Sequence, residues 1–86
     1  MPTICVFFGI VIRMYYDDHG PPHFHAYYGD SAVIIDIDTL RLRHGKLPRR
    51  ALAMVLEWGA EHREELMADW VLAEGHYPLR RIDPLE

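Results

Sequence analysis

The chain changes its composition and its hydrophobic period once, near residue 45, and this change limits the folds open to it. Residues 3–44 are rich in β-branched and aromatic residues broken by Gly and Pro, which is typical of short strands. Residues 48–74 are rich in Ala, Leu, Met, Glu and Arg, which favour a helix. Short connections between strands favour antiparallel neighbours. The sequence therefore predicts an α+β fold, in which an antiparallel meander of three to four strands packs on a long or kinked C-terminal helix.

The helical region has a clear start and a clear end. Pro48 is a favourable first residue of a helix, and Gly75 is a favourable stop. A continuous helix over residues 48–74 would be about 40 Å long, because the rise is about 1.5 Å per residue. That length is large for a chain of 86 residues. We therefore expect a break or kink near Gly59.

Bulk properties restrict the class of protein. A chain of 86 residues, half of them hydrophobic, predicts a single globular domain over residues 1–86. The formal net charge of −4 argues against general nucleic-acid binding, and the single cysteine, Cys5, excludes an intrachain disulfide. No apolar run approaches the roughly 20 residues that span a membrane. We expect a cytoplasmic protein with no membrane partner.

Alternation of side chains along the predicted strands places many polar residues on one face of the sheet. Successive side chains of a strand point to opposite faces, and the apolar set must face the core. The other face then combines imidazole, carboxylate, guanidinium and phenol groups. Its predicted members are Arg13, Tyr15, His23, His25, Tyr27, Asp36 and Asp38.

The stretch HGPPHFHA, residues 19–26, contains three of the six histidines. Two of them, His23 and His25, are two residues apart on a strand, so their Cβ atoms would lie about 7 Å apart on the same face. A metal site would use His23 and His25, with His19 as a third ligand. His19 lies on the other side of the Pro-Pro turn and could fold back towards them. One of four aspartates would complete the site, and Asp36 is the candidate we name; the others are Asp17, Asp18 and Asp38. Histidine and carboxylate ligands suit a divalent zinc, nickel or iron ion.

The same residues permit two other interpretations. His23 and His25 could act as general acid and base without a metal, with Arg13 holding a phosphate and Tyr27 beside it. Such a site could cleave RNA through its 2′-hydroxyl, provided that Arg13 and His25 lie on one face of the sheet. The third interpretation is that these histidines are structural residues beside a rigid turn.

The segment KLPRRA, residues 46–51, places cations at the start of the predicted helix. The helix dipole disfavours cations at that end, and no usual N-capping residue is present. Arg49 and Arg50 are therefore a candidate anion-binding site together with the free N–H groups of the helix. The alternative is that these arginines pair with Asp36 or Asp38.

Several stretches of the chain together resemble a known family. They are MPTI, GIVIRMYYDDHGPPHFHA, IDIDTL, LPRRALAMVLEW, HREEL and PLRRIDPL. They resemble the small bacterial family called domain of unknown function 4160, and the resemblance runs nearly from end to end. The chain has Gly59 and Asp69 where the resemblance predicts Ala and Asn.

The family has no established activity, so the resemblance implies no catalytic residues. Its members are often encoded beside a second small protein, in an arrangement like a toxin–antitoxin pair. The resemblance therefore implies a toxin-like component with a small antitoxin-like partner protein, and RNA is the candidate target. The alternative is a metal-binding or protein-interaction module without catalysis. An exposed polar sheet face and a long helix would also allow a homodimer.

Overall fold

The structure, a computed structural model that describes residues 2–86, contains a five-stranded antiparallel sheet followed by two helices. The strands are β1 (Thr3–Phe7), β2 (Ile10–Arg13), β3 (His23–Tyr28), β4 (Ser31–Asp36) and β5 (Leu42–Lys46). The helices are α1 (Arg49–Glu61) and α2 (Arg63–Glu74). Each strand pairs with the next in chain order, which confirms the predicted α+β class and the antiparallel meander.

The predicted number of three to four strands was wrong. Residues 37–41 turn the chain, and residues 42–46 then return beside β4 as a fifth strand. In the turn, the Leu40 N–H donates to the Asp36 carbonyl at 2.9 Å, and Leu40 has a φ of 58°. The sequence did not mark this turn clearly, because residues 37–41 contain no Gly or Pro and a leucine is an unusual residue for positive φ.

The prediction of one long or kinked helix over residues 48–74 was also wrong. The chain leaves the helical conformation at His62, whose φ of −119° and ψ of 24° separate α1 from α2. The longest dimension of the chain is 34 Å, which is less than the length of the continuous helix. Gly59, where we expected the break, is buried inside α1, and a Cβ there would lie 3.0 Å from Leu40 Cδ2. That glycine therefore makes room for a neighbour and does not end the helix.

The hydrophobic core lies between one face of the sheet and the two helices. Trp58 of α1 is completely buried, and its indole packs against the rings of Phe7 and Phe24 at centroid distances of 5.6 and 5.9 Å. The apolar sheet residues that share this core are Ile10, Ile12, Phe24, Ala26, Val33 and Ile35. Their parity leaves the opposite face of the sheet to five of the residues predicted for it, Arg13, His23, His25, Tyr27 and Asp36. The other two, Tyr15 and Asp38, lie beyond the ends of β2 and β4.

The C-terminal tail binds along β1 and the helices. The Ile82 N–H donates to the Ile4 carbonyl at 2.9 Å, so the tail covers the outer edge of β1. The Trp58 indole N–H donates to the Asp83 carbonyl at 2.8 Å. Over residues 2–86, no helix has both the length and the apolar character needed to cross a membrane.

Candidate metal centre

Two histidines of β3 and one aspartate of the preceding loop converge on one point. The Nε2 atoms of His23 and His25 lie 3.0 and 3.1 Å from the same oxygen, Oδ2 of Asp18. The histidines share a face because they are two residues apart on a strand, as the sequence predicted. One ligand atom from each of the three residues lies within 4.8 Å of the other two. We call these three residues the Asp18–His23–His25 cluster.

Asp18 reaches the histidines because the loop between β2 and β3 folds back over the start of β3. The loop ends in two prolines, and the Ile37 N–H donates to the Pro22 carbonyl at 3.0 Å, which fixes the loop to the end of β4. Asp18 is half-buried, whereas its neighbour Asp17 is 89 % exposed at its side chain and lies 3.5 Å from His76 Nε2. The loop therefore presents one of its two carboxylates to the cluster and the other to solvent.

The ring of His23 is held in a single orientation by its surroundings. The side chain is only 5 % exposed, and the indole of Trp70 packs against its ring at 5.1 Å. Its Nδ1 lies 2.9 Å from the Pro21 carbonyl, which can only accept, so we assign the Nδ1 proton as the donor in this contact. The Nε2 lone pair then points at Asp18. A histidine whose other ring nitrogen donates to a backbone carbonyl is the usual arrangement of a metal ligand.

Proton accounting depends on the tautomer of His23, because Arg43 Nη1 also lies 3.4 Å from its Nδ1. With the proton on Nε2, that N–H donates to Asp18 and Nδ1 accepts from Arg43. With the proton on Nδ1, as the closer Pro21 carbonyl favours, Nε2 and the Asp18 oxygen would face each other as two acceptors. A 3.0 Å contact between two acceptors is repulsive unless a proton or a cation lies between them. His25 can donate its own Nε2 proton to the same oxygen. With the proton on Nδ1, the arrangement therefore suits either an imidazolium at His23 or a cation shared by all three residues.

The remaining predicted metal ligands lie outside the cluster. His19 is exposed, and its ring is not among the converging groups. Asp36 forms an ion pair with Arg43. That arginine also donates to the Pro21 carbonyl at 3.1 Å, so Asp36 and Arg43 support the loop that positions His23. The ligand set in the structure thus contains two of the four named candidates and takes its carboxylate from Asp18.

The uncovered face of the sheet continues from the cluster to Arg13 and Tyr27. Arg13 is paired directly with His25 across β2 and β3, so the two side chains share a face. The Arg13 guanidinium lies 5.4 Å from the centre of the Tyr27 ring, and its Nε donates to Thr3 Oγ1 at 3.1 Å. Four of the residues predicted for a metal-free site are therefore neighbours, since His23 precedes His25 on the same face.

Tyr15 connects this face to the loop. Its hydroxyl is 2.6 Å from that of Tyr27, and its ring meets His25 edge to face at 4.6 Å. Burial, reinforced by the hydrogen bond with Tyr15, raises the pKa of Tyr27 to about 12. Tyr27 therefore keeps its proton at neutral pH, which suits a hydrogen-bond donor and not a general base.

A cavity of about 430 Å³ opens beside the cluster. Its walls are Pro2, Tyr15, Tyr16, Asp17 and Asp18. Asp18 belongs both to this wall and to the cluster, whereas neither histidine lines the cavity.

Arg49 and Arg50 occupy the first turn of α1, as predicted, but are not part of the cluster. Both side chains are exposed, and neither forms an ion pair with any residue in the range 2–86. The preceding residue, Pro48, provides no side-chain cap, and the first turn of α1 contains no acidic residue. The alternative that these arginines pair with Asp36 is excluded, because Arg43 occupies that carboxylate.

Comparison with known proteins identifies the family. No curated protein sequence and no solved structure matches the chain. A family model described as domain of unknown function (DUF4160) matches residues 9–71, which include the loop, β3 and most of both helices. The matched segment contains all three residues of the Asp18–His23–His25 cluster. The chain belongs to the DUF4160 family.

Proposed function

We propose that this protein binds a divalent transition metal through Asp18, His23 and His25. The observation that supports this function is the convergence of two imidazole Nε2 atoms on one carboxylate oxygen, at 3.0 and 3.1 Å. Imidazole and carboxylate ligands suit zinc, nickel and ferrous iron, and an ion at this point would supply the positive charge that the Nδ1 tautomer of His23 calls for. The Pro21 carbonyl, which orients His23, serves as the outer support that such ligands usually have.

Three protein ligands leave a coordination position free. Catalytic zinc sites keep one position for water or substrate, whereas structural sites fill all four with protein groups. In this proposal a small ligand would approach that position from the cavity that Asp18 lines. The metal would provide Lewis acidity there, and the protein would orient the ligands and exclude bulk solvent from the His23 side.

Calorimetric titration of the untagged protein with zinc and with nickel tests this proposal. We expect one equivalent to bind, and we expect Asp18→Asn and His25→Ala to weaken binding by about tenfold or more. His44→Ala is the matched control, since His44 is an exposed histidine of β5 outside the cluster. Equal affinities for His25→Ala and His44→Ala would overturn the proposal.

A toxin-like component that acts on RNA is the second candidate function. The pairing of Arg13 with His25 on the uncovered face, beside Tyr27, is the observation that favours it. His25 would take the proton of a ribose 2′-hydroxyl, which attacks the adjacent phosphorus. Tyr27, which keeps its proton at neutral pH, would protonate the departing 5′-oxygen, leaving a 2′,3′-cyclic phosphate, while the buried His23 would hold Asp18 beside His25. Arg13 would hold the phosphate oxygens.

Controlled expression in bacteria tests this second candidate. It predicts growth arrest by the wild type, relief by His25→Ala at equal soluble abundance, and relief by a small partner protein. It also predicts RNA cleavage by the purified protein in the presence of EDTA, because no metal takes part. Unimpaired growth at high soluble expression, with RNA left intact by the purified protein both with and without EDTA, would rule it out.

A further inference from the structure

Positive charge is concentrated in one short segment of an otherwise acidic chain. Residues 41–50, RLRHGKLPRR, contain five of the nine Lys and Arg residues and no Asp or Glu. Because the whole chain has a formal net charge of −4 and this segment contributes +5, the rest carries −9. We call this segment the basic edge. It comprises Arg41, the strand β5, Leu47, Pro48 and the first two residues of α1.

The side chains of the basic edge are available to a partner. All are exposed except that of Leu47, which anchors the segment in the core. Arg43 is paired with Asp36, but the remaining four cations form no ion pair within the described chain. Their charges are therefore not neutralised internally.

The backbone of β5 is also available. β5 is the last strand of the sheet and pairs only with β4, so its alternate N–H and C=O groups point away from the sheet. No other backbone hydrogen bond reaches residues 42–46 from the chain described. The opposite edge differs, because the tail covers β1 through the Ile82–Ile4 hydrogen bond. The sheet therefore has one covered edge and one open edge.

We propose that the basic edge binds an extended acidic segment of a partner protein, which adds a sixth strand beside β5. Strand addition to an open edge supplies main-chain hydrogen bonds, and side-chain charge supplies specificity and a fast association rate. Acidic side chains of the added strand would meet Lys46 and Arg41. An acidic residue at its end would meet Arg49 and Arg50, beside the uncapped N-terminus of α1. This inference does not depend on the metal centre.

Two other occupants fit the basic edge less well. A second copy of the chain would bring two basic strands together, and like charges on paired strands repel. A nucleic acid would offer phosphate acceptors to the outward N–H groups but would leave most outward C=O groups of β5 unpaired. The basic edge also contains no Phe, Tyr or Trp on which a base could stack. Charge on an edge strand can also serve only to protect it from pairing, but this segment has five cations, of which four form no ion pair within the described residues.

Fluorescence anisotropy with designed probes tests the proposal. The first probe is a ten-residue peptide of alternating Glu and Val, and the second is the same peptide with Lys in place of Glu. The third keeps the acidic sequence but carries N-methyl groups at alternate residues, which blocks strand pairing without changing charge. We expect the first probe to bind at least about tenfold more tightly than either of the others.

Two variants with the same change of charge provide the matched comparison. Arg50→Glu lies in the basic edge, whereas Arg80→Glu lies on the tail and retains the backbone N–H that binds Asp69. We expect Arg50→Glu to weaken binding of the acidic peptide about tenfold and Arg80→Glu to change it less than threefold. Hydrogen exchange of residues 42–46 should slow when the acidic peptide binds.

Several results would overturn this inference. One is that the N-methylated probe binds as tightly as the unmodified acidic peptide. Another is that Arg50→Glu and Arg80→Glu weaken binding equally. The third is that the acidic peptide does not bind at millimolar concentration. Tighter binding of a ten-nucleotide single-stranded RNA would instead assign the basic edge to nucleic acid. Self-association that Arg50→Glu alters without the peptide would assign it to a second copy.

Discussion

Asp69 is a buried carboxylate whose replacement should stabilise the protein in a pH-dependent way. The side chain is only 1 % exposed, and its Oδ1 accepts the Arg80 backbone N–H at 2.9 Å. Its Oδ2 has no hydrogen-bond partner among the residues described. Burial raises the pKa of Asp69, against the opposing effect of the hydrogen bond from Arg80. Burial therefore makes the charged form of Asp69 unfavourable in the folded chain.

Asp69→Asn keeps the acceptor for Arg80 and removes the charge. An unpaired buried polar group costs about 1–3 kcal/mol, and more if it is charged, while the amide leaves only a neutral group unpaired. We therefore expect a gain of roughly 1–2 kcal/mol in the free energy of unfolding at pH 7. For a chain of this size that gain corresponds to about 4–16 °C in melting temperature.

The pH dependence has a definite sign. Because the pKa of Asp69 is higher in the folded than in the unfolded chain, the folded state binds more protons between those two values. The wild-type stability contributed by Asp69 is therefore present below the unfolded pKa and is lost as the pH rises through the folded pKa. The advantage of Asp69→Asn should be smallest at pH 3, below the unfolded pKa, and should grow as the pH rises towards the folded pKa.

Urea unfolding at pH 3, 5 and 7 measures this effect. Asp30→Asn, at an exposed turn residue, is the matched control and should change stability by less than about 0.5 kcal/mol. A variant Asp69→Asn that is no more stable than wild type at pH 7 would refute the reasoning. An advantage of constant size across the three pH values would refute it as well.

Two further substitutions test the sheet. Gly45→Ala should lower the free energy of unfolding by at least about 2 kcal/mol in a urea titration. Gly45 has a φ of 83°, and a Cβ there would clash with the Ala32 carbonyl oxygen. A loss below about 0.5 kcal/mol would contradict this packing. Tyr15→Phe removes the hydroxyl that bonds to Tyr27, so the Tyr27 pKa should fall from about 12 towards 10 in an NMR titration of tyrosine ring carbons. Because the raised pKa makes the fold lose stability as pH rises above 10, that loss should be smaller in Tyr15→Phe, and an unchanged Tyr27 titration would contradict the assignment.

The face of the sheet was predictable from the sequence, whereas the loop was not. Strand parity alone placed Arg13, His25 and Tyr27 together, since alternation is a local property of the backbone. The identity of the carboxylate was not a local property. Asp36 has the right parity, but Arg43 reaches it from a strand that the sequence did not resolve, and the loop instead presents Asp18.

The helix break shows the same limit. Gly59 has a lower helix propensity than His62, yet Gly59 stays helical. Tertiary packing requires a glycine there, because Leu40 occupies the space that a side chain would need. His62 ends α1 without a composition signal of its own. One signal was available: Glu64 and Glu65 are favourable in a first turn, and the structure begins α2 there. The resemblance predicted Asn at position 69, but no sequence signal indicated that Asp69 would be buried.

The most direct test of the metal centre is long-range ¹H–¹⁵N correlation NMR of the histidine rings, recorded before and after one equivalent of zinc. This experiment reports which ring nitrogen carries a proton and which binds a metal. We predict that the Nε2 resonances of His23 and His25 move to positions typical of zinc ligands, and that the Nδ1 proton of His23 stays in place. The other histidines, His19, His44, His62 and His76, should be unaffected. Unchanged His23 and His25 spectra, or zinc shifts at the other histidines instead, would contradict the proposed site.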